Sequence, residues 1–363
     1  MTTFGTSAFA TWALIGLLCG QPWNDPSARI AQAKKELEPR LLTLPAGQHP
    51  TADFLAALEK QTGNVVVDRR AMKSMASAPL DFNKIPFWQA LDRFCAVAGC
   101  GYSAFGSEGG VALIDGGKRS PQVNYHGIAR TSVKRIAVAQ DFDTGLATCI
   151  IHLDVAWEPR FQPFYLGVGA VQATYAASDG KAQRLQAPSR GQLPVAGQSA
   201  SEIELQLAAP PRQAPALASL EGTLTFLGPS KMLTFRFPAL KANAALEQEE
   251  VSVRVVNVKE GLDRWLIDVQ IDNPEGTPSF DTYQSWLANN RIELVRGEGA
   301  KRQVWLPEPN ESIAESARRA NITYSFAATP AKGKAADWTM VYRTPGRIVE
   351  LAVPYRFKNV PLR

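Results

Sequence analysis

The hydrophobic pattern changes abruptly at Gly63. Before it, "DFLAALEK" from Asp53 spaces apolar residues three and four apart, which predicts a helix that buries Phe54 and Leu58. We expect Thr51 to cap this helix and Gly63 to end it, because glycine readily adopts the left-handed conformation that closes helices. The three valines at 65–67 then predict a strand that is buried on both faces or lies at a sheet edge.

A second helix and three more strands are predicted before residue 116. "APLDF" (78–82) alternates like a strand, and "FWQALDRFCAVA" predicts a helix whose buried stripe contains Phe87, Leu91, Phe94 and either Val97 or Ala98. "GYSAF" and "VALID" predict a hairpin. With a first strand at 41–44, the order β-α-β-β-α-β-β predicts a small α+β domain over residues 41–116, with two helices on one face of its sheet.

This stretch resembles a known family. "LPAGQHPTADFLAALEKQTGNVVVD" followed by "PLDFNKIPFWQALDRFCAVAGCGYS" is similar to the secretin and TonB short N-terminal domain, which reads as a helix, a "TG" pair, a valine-rich strand and a second helix. The resemblance covers residues 41–115. It implies a periplasmic module that makes protein-protein contacts, and it supplies no catalytic residue. The later residues do not continue the family's pattern, so no secretion or transport role is implied.

The rest of the chain contains an internal duplication. "TLTFLGPSKMLTFRFP" (223–238) aligns without gaps with "TMVYRTPGRIVELAVP" (339–354), a shift of 116 residues. We interpret each copy as two strands that flank a turn, "GPSK" or "TPGR". "IHLDVAW" (151–157) likewise matches "WLIDVQI" (265–271), and both alternate apolar and polar residues.

Short alternating strands with Gly and Pro turns are typical of antiparallel sheets. They predict two all-β antiparallel sandwich domains, repeat 1 at 121–241 and repeat 2 at 250–363, with one helical pattern near 282–290. We expect the packed faces to carry alternate residues from Cys149 to Trp157 and from Trp265 to Ile271. Duplicated sandwiches usually act as spacers or adhesive modules.

The first forty residues predict an export signal and a lead-in. An apolar stretch from Phe9 to Leu18 is shorter than a membrane span, and residues 1–20 are interpreted as a signal peptide cleaved near Gly20. A lipid anchor at Cys19 is an alternative, although Leu18 does not suit it. Residues 21–40 predict a solvated helical lead-in. We therefore expect an exported protein of the periplasm or cell envelope, with no membrane span in the mature chain.

Composition narrows the class of protein further. The 39 Lys and Arg exceed the 34 Asp and Glu and give a formal net charge of +5. These cations are scattered along the chain, whereas nucleic-acid binders concentrate them on a stripe or helix. Nucleic acid is therefore not an expected partner.

Candidate metal ligands are sparse. Asp141 and Asp143 in "DFDTG" have the spacing of a calcium loop, but the later acidic ligands of such a loop are missing and a hairpin turn is the favoured interpretation. His152, Asp154 and Glu158 share a strand face that could hold a cation, although such faces are usually hydrated. No Cys or His spacing typical of a metal site occurs, and we expect no metal or other cofactor.

Cysteine and serine chemistry is limited as well. Cys95 and Cys100 lie at the end of the second predicted helix, where a disulfide bond or two separate buried thiols are both compatible with the spacing. No nucleophile elbow and no phosphate-binding glycine loop appears, so we name no catalytic residue.

These observations favour a non-enzymatic envelope protein. Its N-terminal domain would contact a protein partner, and its sandwiches would act as spacers or adhesive modules. The alternative is a carbohydrate-binding protein or minor cell-surface hydrolase, because exposed aromatic rows on sandwiches bind sugars. Trp286, Trp305 and Trp338, near predicted loops, are the candidates for such a row.

Overall fold

The computed structural model describes residues 26–71, 77–105, 110–117, 120–176, 181–272, 289–308, 312–314, 319–327 and 333–362. Over these residues the protein is mostly β, with 23 strands and three α-helices. The ladders are antiparallel apart from one short parallel pair. The predicted signal peptide, Trp286 and most of the predicted helix at 282–290 lie outside the described residues.

The lead-in helix α1 is not merely solvated, contrary to expectation. It runs over Pro26–Glu36, and Ala33 and the following Leu37 are buried in the hydrophobic core of the body formed by residues 120–229 and 348–362. Alanine and leucine one turn apart face the same side of a helix, so one edge of α1 closes this core.

The part of the chain from residue 41 to 117, here called the N-terminal module, has seven elements. They are β1 (Leu41–Pro50), α2 (Thr51–Thr62), β2 (Val66–Asp68), β3 (Ser77–Pro86), α3 (Phe87–Ala98), β4 (Cys100–Ser103) and β5 (Val111–Asp115). They form two sheets where one was predicted: β1 pairs with β3, and β5 lies between β2 and β4. The helices and both sheets share one core, in which Phe54 and Phe94 stack at 4.2 Å between ring centroids.

The helix ends agree with the sequence at their glycines but not at Thr51. Gly63 and Gly99 take left-handed conformations, with φ of 76° and 65°. The N-cap position is Pro50 and Thr51 is the first helical residue; the buried Thr51 hydroxyl accepts a hydrogen bond from Arg70 Nη2 at 3.1 Å. At the end of α3, Ala98 is buried and Val97 is exposed.

The second part, here called the central body, has two sheets around one core. One sheet has the order β12-β8-β7-β6, and the other has the order β10-β9-β13-β23, with β11 also paired to β9. Their bounds are β6 (Val123–His126), β7 (Ala129–Gln140), β8 (Ala147–Trp157), β9 (Tyr165–Ala176), β10 (Ala182–Ala187), β11 (Arg190–Pro194), β12 (Ala200–Ala208), β13 (Ala216–Pro229) and β23 (Ile348–Pro361). The predicted packed face of β8, from Cys149 to Trp157, is confirmed.

The third part, here called the second body, is also built from two sheets around a core. The sheets have the orders β14-β22-β18-β19 and β15-β16-β17-β21-β20. Their bounds are β14 (Met232–Phe237), β15 (Ala245–Gln248), β16 (Val251–Glu260), β17 (Arg264–Asp272), β18 (Arg291–Arg296), β19 (Gln303–Trp305), β20 (Ser312–Ala314), β21 (Arg319–Ala327) and β22 (Thr339–Pro345). Short 3-10 helices occupy Gly299–Lys301 and Ala335–Asp337. The predicted packed face of β17 is confirmed.

The two bodies do not follow the predicted boundary between repeats 121–241 and 250–363. The last strand, β23, pairs along its length with β13 of the central body. In return β14, which follows β13 in the chain, pairs with β22 of the second body. The predicted turns "GPSK" and "TPGR" therefore do not reverse the chain; each leads a strand from one body into the other.

Candidate functional site

The N-terminal module packs directly on the central body. The Trp88 indole of α3 donates a hydrogen bond from Nε1 to the carbonyl oxygen of Ile128 at 3.1 Å. Ala156 of β8 and Ala200 of β12 are buried within the core of the module. Small side chains on these two strands let the module approach closely, and the junction forms the floor of a groove.

A buried charge cluster lies beneath the groove. Asp92 of α3 accepts hydrogen bonds from Tyr102 Oη at 2.9 Å, from Tyr125 Oη and from Arg130 Nε at 2.9 Å. Arg130 Nη1 also donates to Ser132 Oγ at 3.0 Å. Asp92 and Tyr102 come from the module, whereas Tyr125 and Arg130 come from the central body, so the cluster joins the two parts.

Burial fixes the protonation of this cluster. It raises the pKa of Tyr102 well above its ordinary value, and Asp92 raises it further while Arg130 opposes the shift. The pKa of Tyr125 is raised for the same first reason. Burial acts to lower the pKa of Arg130, but Tyr102 and Asp92 outweigh it and keep the guanidinium charged. Both phenols therefore remain donors to the carboxylate.

The groove above the cluster has a volume of about 630 Å³. It runs between β4 of the module and β7 and β8 of the central body, and its side chains include Tyr102, Phe105, Arg130, Lys134 and Asp154. Phe105 is 51% exposed, and Lys134 Nζ lies 5.5 Å from the centroid of its ring. Among the described residues of the groove, Phe105 presents an aromatic face to solvent and Lys134 presents a cation.

A charged network forms the outer rim of the groove. Lys134 Nζ lies 2.7 Å from Glu202 Oε2 and 3.3 Å from Asp154 Oδ1. The hydrogen bond with Glu202 raises the pKa of Lys134, and the same bond lowers the pKa of Glu202. His152 Nδ1 contacts Glu202 Oε1 at 2.8 Å, and Arg135 Nη2 contacts His152 Nε2 at 3.0 Å. These contacts indicate a histidine that donates through Nδ1 and accepts through Nε2.

A second buried cluster fastens α1 and α2 to the end of β8. Glu158 Oε2 accepts hydrogen bonds from Arg160 Nε at 2.5 Å and from Asn64 Nδ2 at 3.1 Å. The Arg160 guanidinium also donates to the carbonyl oxygens of Glu36 at 2.8 Å and Glu38 at 2.6 Å, at the end of α1. A cation at a helix C-terminus is favourable, because the last carbonyls lack helical partners. Burial raises the pKa of Glu158, against the lowering effect of Arg160 and Asn64.

The open edge of the module is apolar. Among the described residues, β2 pairs with β5 alone and is the outermost strand of its sheet. Val66 is buried in the core, whereas Val65 and Val67 are 50% and 49% exposed. The valine run is therefore an edge strand, one of the two arrangements that the sequence left open.

The predicted metal candidates lie elsewhere and make a turn. Asp141 and Asp143 are exposed in the β7–β8 connection, at the opposite end of β7 from the groove. Asp141 Oδ1 accepts hydrogen bonds from the backbone N–H groups of Thr144 and Asp143, both at 2.9 Å. These two hydrogen bonds lower the pKa of Asp141. Within the described part of the chain, no three Asp, Glu, His or Cys residues converge as metal ligands.

The predicted cation face on β8 is divided between two clusters. His152 and Asp154 belong to the rim of the groove, whereas Glu158 lies beyond the strand end and pairs with Arg160. Cys95 and Cys100 are buried as separate thiols, and Cys95 Sγ lies 3.8 Å from the carbonyl oxygen of Gly101.

The tryptophans do not form a surface row in the described residues. Trp305 and Trp338, candidates for sugar binding, are 8% and 3% exposed. They pack with Trp265 inside the second body, at ring-centroid distances of 5.1 to 5.4 Å. Of the three tryptophans proposed for the carbohydrate alternative, Trp305 and Trp338 are therefore used by this core, and Trp286 lies outside the described residues.

Sequence reasoning missed the acid that joins the two parts. Asp92 lies four residues after Trp88 and three before Cys95, so it falls on the buried face of α3. An acid on a buried stripe needs a cationic or donor partner, which was the available signal. Its partner Arg130 lies in an alternating strand and carries no such signal in the sequence.

Comparisons with protein-family models, with curated proteins and with solved structures found no match for this chain. No helix among the described residues combines the length and apolar character needed to cross a membrane.

Proposed function

We propose that this chain is a non-enzymatic, exported protein of the cell envelope whose N-terminal module binds a protein partner. In this proposal the module acts as its resemblance to the secretin and TonB short N-terminal domain implies, and the two bodies act as sandwich-type spacers. The observation that carries the proposal is the apolar open edge of β2. A partner strand that pairs with β2 would extend this three-stranded sheet to four strands, and it would cover Val65 and Val67.

The way the module is attached supports this role. The Asp92 and Glu158 clusters and the Trp88 hydrogen bond all hold the module on the central body. A module fixed in this way presents β2 in a constant orientation, which lowers the entropy lost on binding. Edge strands with exposed valines are an aggregation hazard unless they are covered, which is a second reason to expect a partner here.

Site-specific photo-crosslinking in the native host tests the proposal. A photoreactive phenylalanine analogue replaces Val67 in the full-length chain, and the matched control carries it at Leu262, which is 92% exposed in the second body. We expect a discrete adduct from position 67 in the envelope fraction and none from position 262. Val65→Lys in the chain that carries the analogue at position 67 should prevent the same adduct, because a charge beside an edge strand opposes strand addition.

Three results would contradict the proposal. Identical adducts from both positions, or none from position 67 in cells that contain the protein, would exclude β2 as the partner site. Recovery of the intact chain with uncleaved residues 1–20 from the cytoplasmic fraction alone would exclude export.

A further inference from the structure

The strand exchange between the two bodies follows the internal duplication residue by residue. The shift of 116 relates Pro229 to Pro345 and Lys231 to Arg347. It also relates β13 to β22 and β14 to the beginning of β23. The last strand of each repeat therefore lies in the other body. β14 pairs with β22, and β23 pairs with β13.

The crossing point has the symmetry that this relation requires. The backbone N–H of Ser230 donates to the carbonyl oxygen of Arg347 at 2.8 Å, and that of Gly346 donates to the carbonyl oxygen of Lys231 at 3.0 Å. The shift of 116 makes Ser230 equivalent to Gly346 and Lys231 equivalent to Arg347, so the two hydrogen bonds are equivalent. The two hinge segments, 229–231 and 345–347, thus lie side by side as two equivalent copies in antiparallel orientation.

The exchanged strands present equivalent core positions. Leu233 and Phe237 of β14 are buried in the second body, and their equivalents Val349 and Val353 are buried in the central body. Between them, buried Phe235 corresponds to Leu351, which packs partly buried against the central core. The apolar pattern of the last strand therefore fits the same acceptor position in either body.

The hinge backbones do not have the conformation of a tight turn. A two-residue hairpin turn needs positive φ at one or both central residues. Ser230, Lys231 and Gly346 are not among the residues with positive φ. Each hinge begins with a proline, whose ring fixes φ, and short hinges between two bodies favour exchange of an element between copies.

We propose that a second copy of this chain is a binding partner through the same exchange. In such a dimer, β23 of one chain pairs with β13 of the other, and β14 pairs with β22 in the same way. Only the connection between β14 and β15, residues 238–244, has to take a different path. Lys241, Ala242 and Asn243 in this connection are exposed, whereas Leu240 is buried in the second body. The N–H of Leu240 donates to the carbonyl oxygen of Trp338 and that of Asn243 to the carbonyl oxygen of Val255, so these contacts have to be released or re-formed between chains in the dimer. Every described strand ladder is preserved. The dimer therefore becomes favourable as protein concentration rises.

A disulfide trap tests the exchange in the full-length chain. Glu221 of β13 lies directly opposite Arg356 of β23, and both side chains are exposed. Glu221→Cys and Arg356→Cys are prepared as separate variants with Cys19→Ser, unfolded together in urea, refolded at increasing protein concentration and oxidised. We expect a disulfide-linked heterodimer whose yield rises with concentration. The matched control replaces Arg356→Cys by Glu350→Cys, which lies opposite Leu227 and should give no cross-link with position 221.

The double variant Glu221→Cys/Arg356→Cys makes a negative result interpretable. At low concentration it should form an internal disulfide, which shows that the geometry permits the bond. If it does so while the mixed single variants give no heterodimer at any concentration, the proposal is wrong. Equal cross-linking by the Glu350→Cys control would also overturn it, because that result indicates random contact.

Discussion

At the scale of single residues, the junction depends on buried charges that have cationic partners. Asp92 accepts hydrogen bonds from two phenols and a guanidinium, and Glu158 accepts them from a guanidinium and an amide. Burying an ion pair adds little net stability, but removing one partner leaves a costly uncompensated charge. These residues therefore determine where the module docks more than how stable the chain is.

Asp92→Asn should weaken this junction strongly. The variant leaves Arg130 buried without its carboxylate and turns an amide donor toward other donors, so we expect a loss of about 3–5 kcal/mol in the free energy of unfolding. Urea denaturation measures the change, and limited proteolysis reports on docking of the module. Asp81→Asn, on an exposed position of β3, is the matched control and should change stability by less than about 0.5 kcal/mol. Equal effects of both substitutions would refute the assigned role.

Glu158 should make stability depend on pH in a defined direction. Burial raises its folded-state pKa above the ordinary value of 4.5, so the folded chain binds a proton at a higher pH than the unfolded chain. This contribution to stability is largest below pH 4.5 and is lost as pH rises through the folded-state pKa. Urea midpoints across this range should therefore show a smaller decline for Glu158→Gln than for the parent chain. Parallel pH profiles for the two proteins would show that the carboxyl does not titrate in this way.

At the scale of elements, β23 shows how an accurate pattern can receive the wrong partner. Alternation in "IVELAVP" correctly marks a strand, and its match to "MLTFRFP" relates it to β14 under the predicted duplication. A hairpin within each repeat was the simplest pairing of these strands. The structure pairs them between repeats, and the hinges accordingly lack the backbone conformation of a tight turn.

Phe357→Ala separates the two arrangements. Phe357 of β23 is buried in the central core, and its truncation should cost about 3–5 kcal/mol. Hydrogen exchange should rise in β9 and β13 of the central body and remain unchanged in β16 and β17 of the second body. Lys358→Ala, an exposed neighbour on the same strand, is the control. Faster exchange confined to β16 and β17 would support separate tandem repeats.

At the scale of the whole molecule, the chain is three packed parts held together by a few specific contacts. The central body contacts both others: the module through buried clusters, and the second body through the exchanged strands. The apolar edge of β2 and the hinge segments are then two separate places where this chain meets partners under our proposals. One is suited to a strand of another protein, and the other to a second copy of the chain.

Local patterns along the chain were enough to predict the two helices of the module and the packed faces of two strands. Periodicity identified both helices of the module, glycines identified their ends, and alternation identified the packed faces of β8 and β17. These features depend on residues a few positions apart, whose spacing is set by helix and strand geometry. The similarity between residues 223–238 and 339–354 was equally visible, because both segments keep the same alternation.

The pairing of distant strands and the contacts between buried charges became known from the folded structure alone. The partners Asp92 and Arg130 are 38 residues apart, and β13 and β23 are more than a hundred residues apart in the chain. Their contact depends on how complete sheets pack, since a buried charge or an unpaired strand edge can be satisfied by any suitable partner that the fold brings near. A local sequence pattern indicates that a buried charge or a strand edge needs a partner. The packing of the three parts determines which residue or strand that partner is.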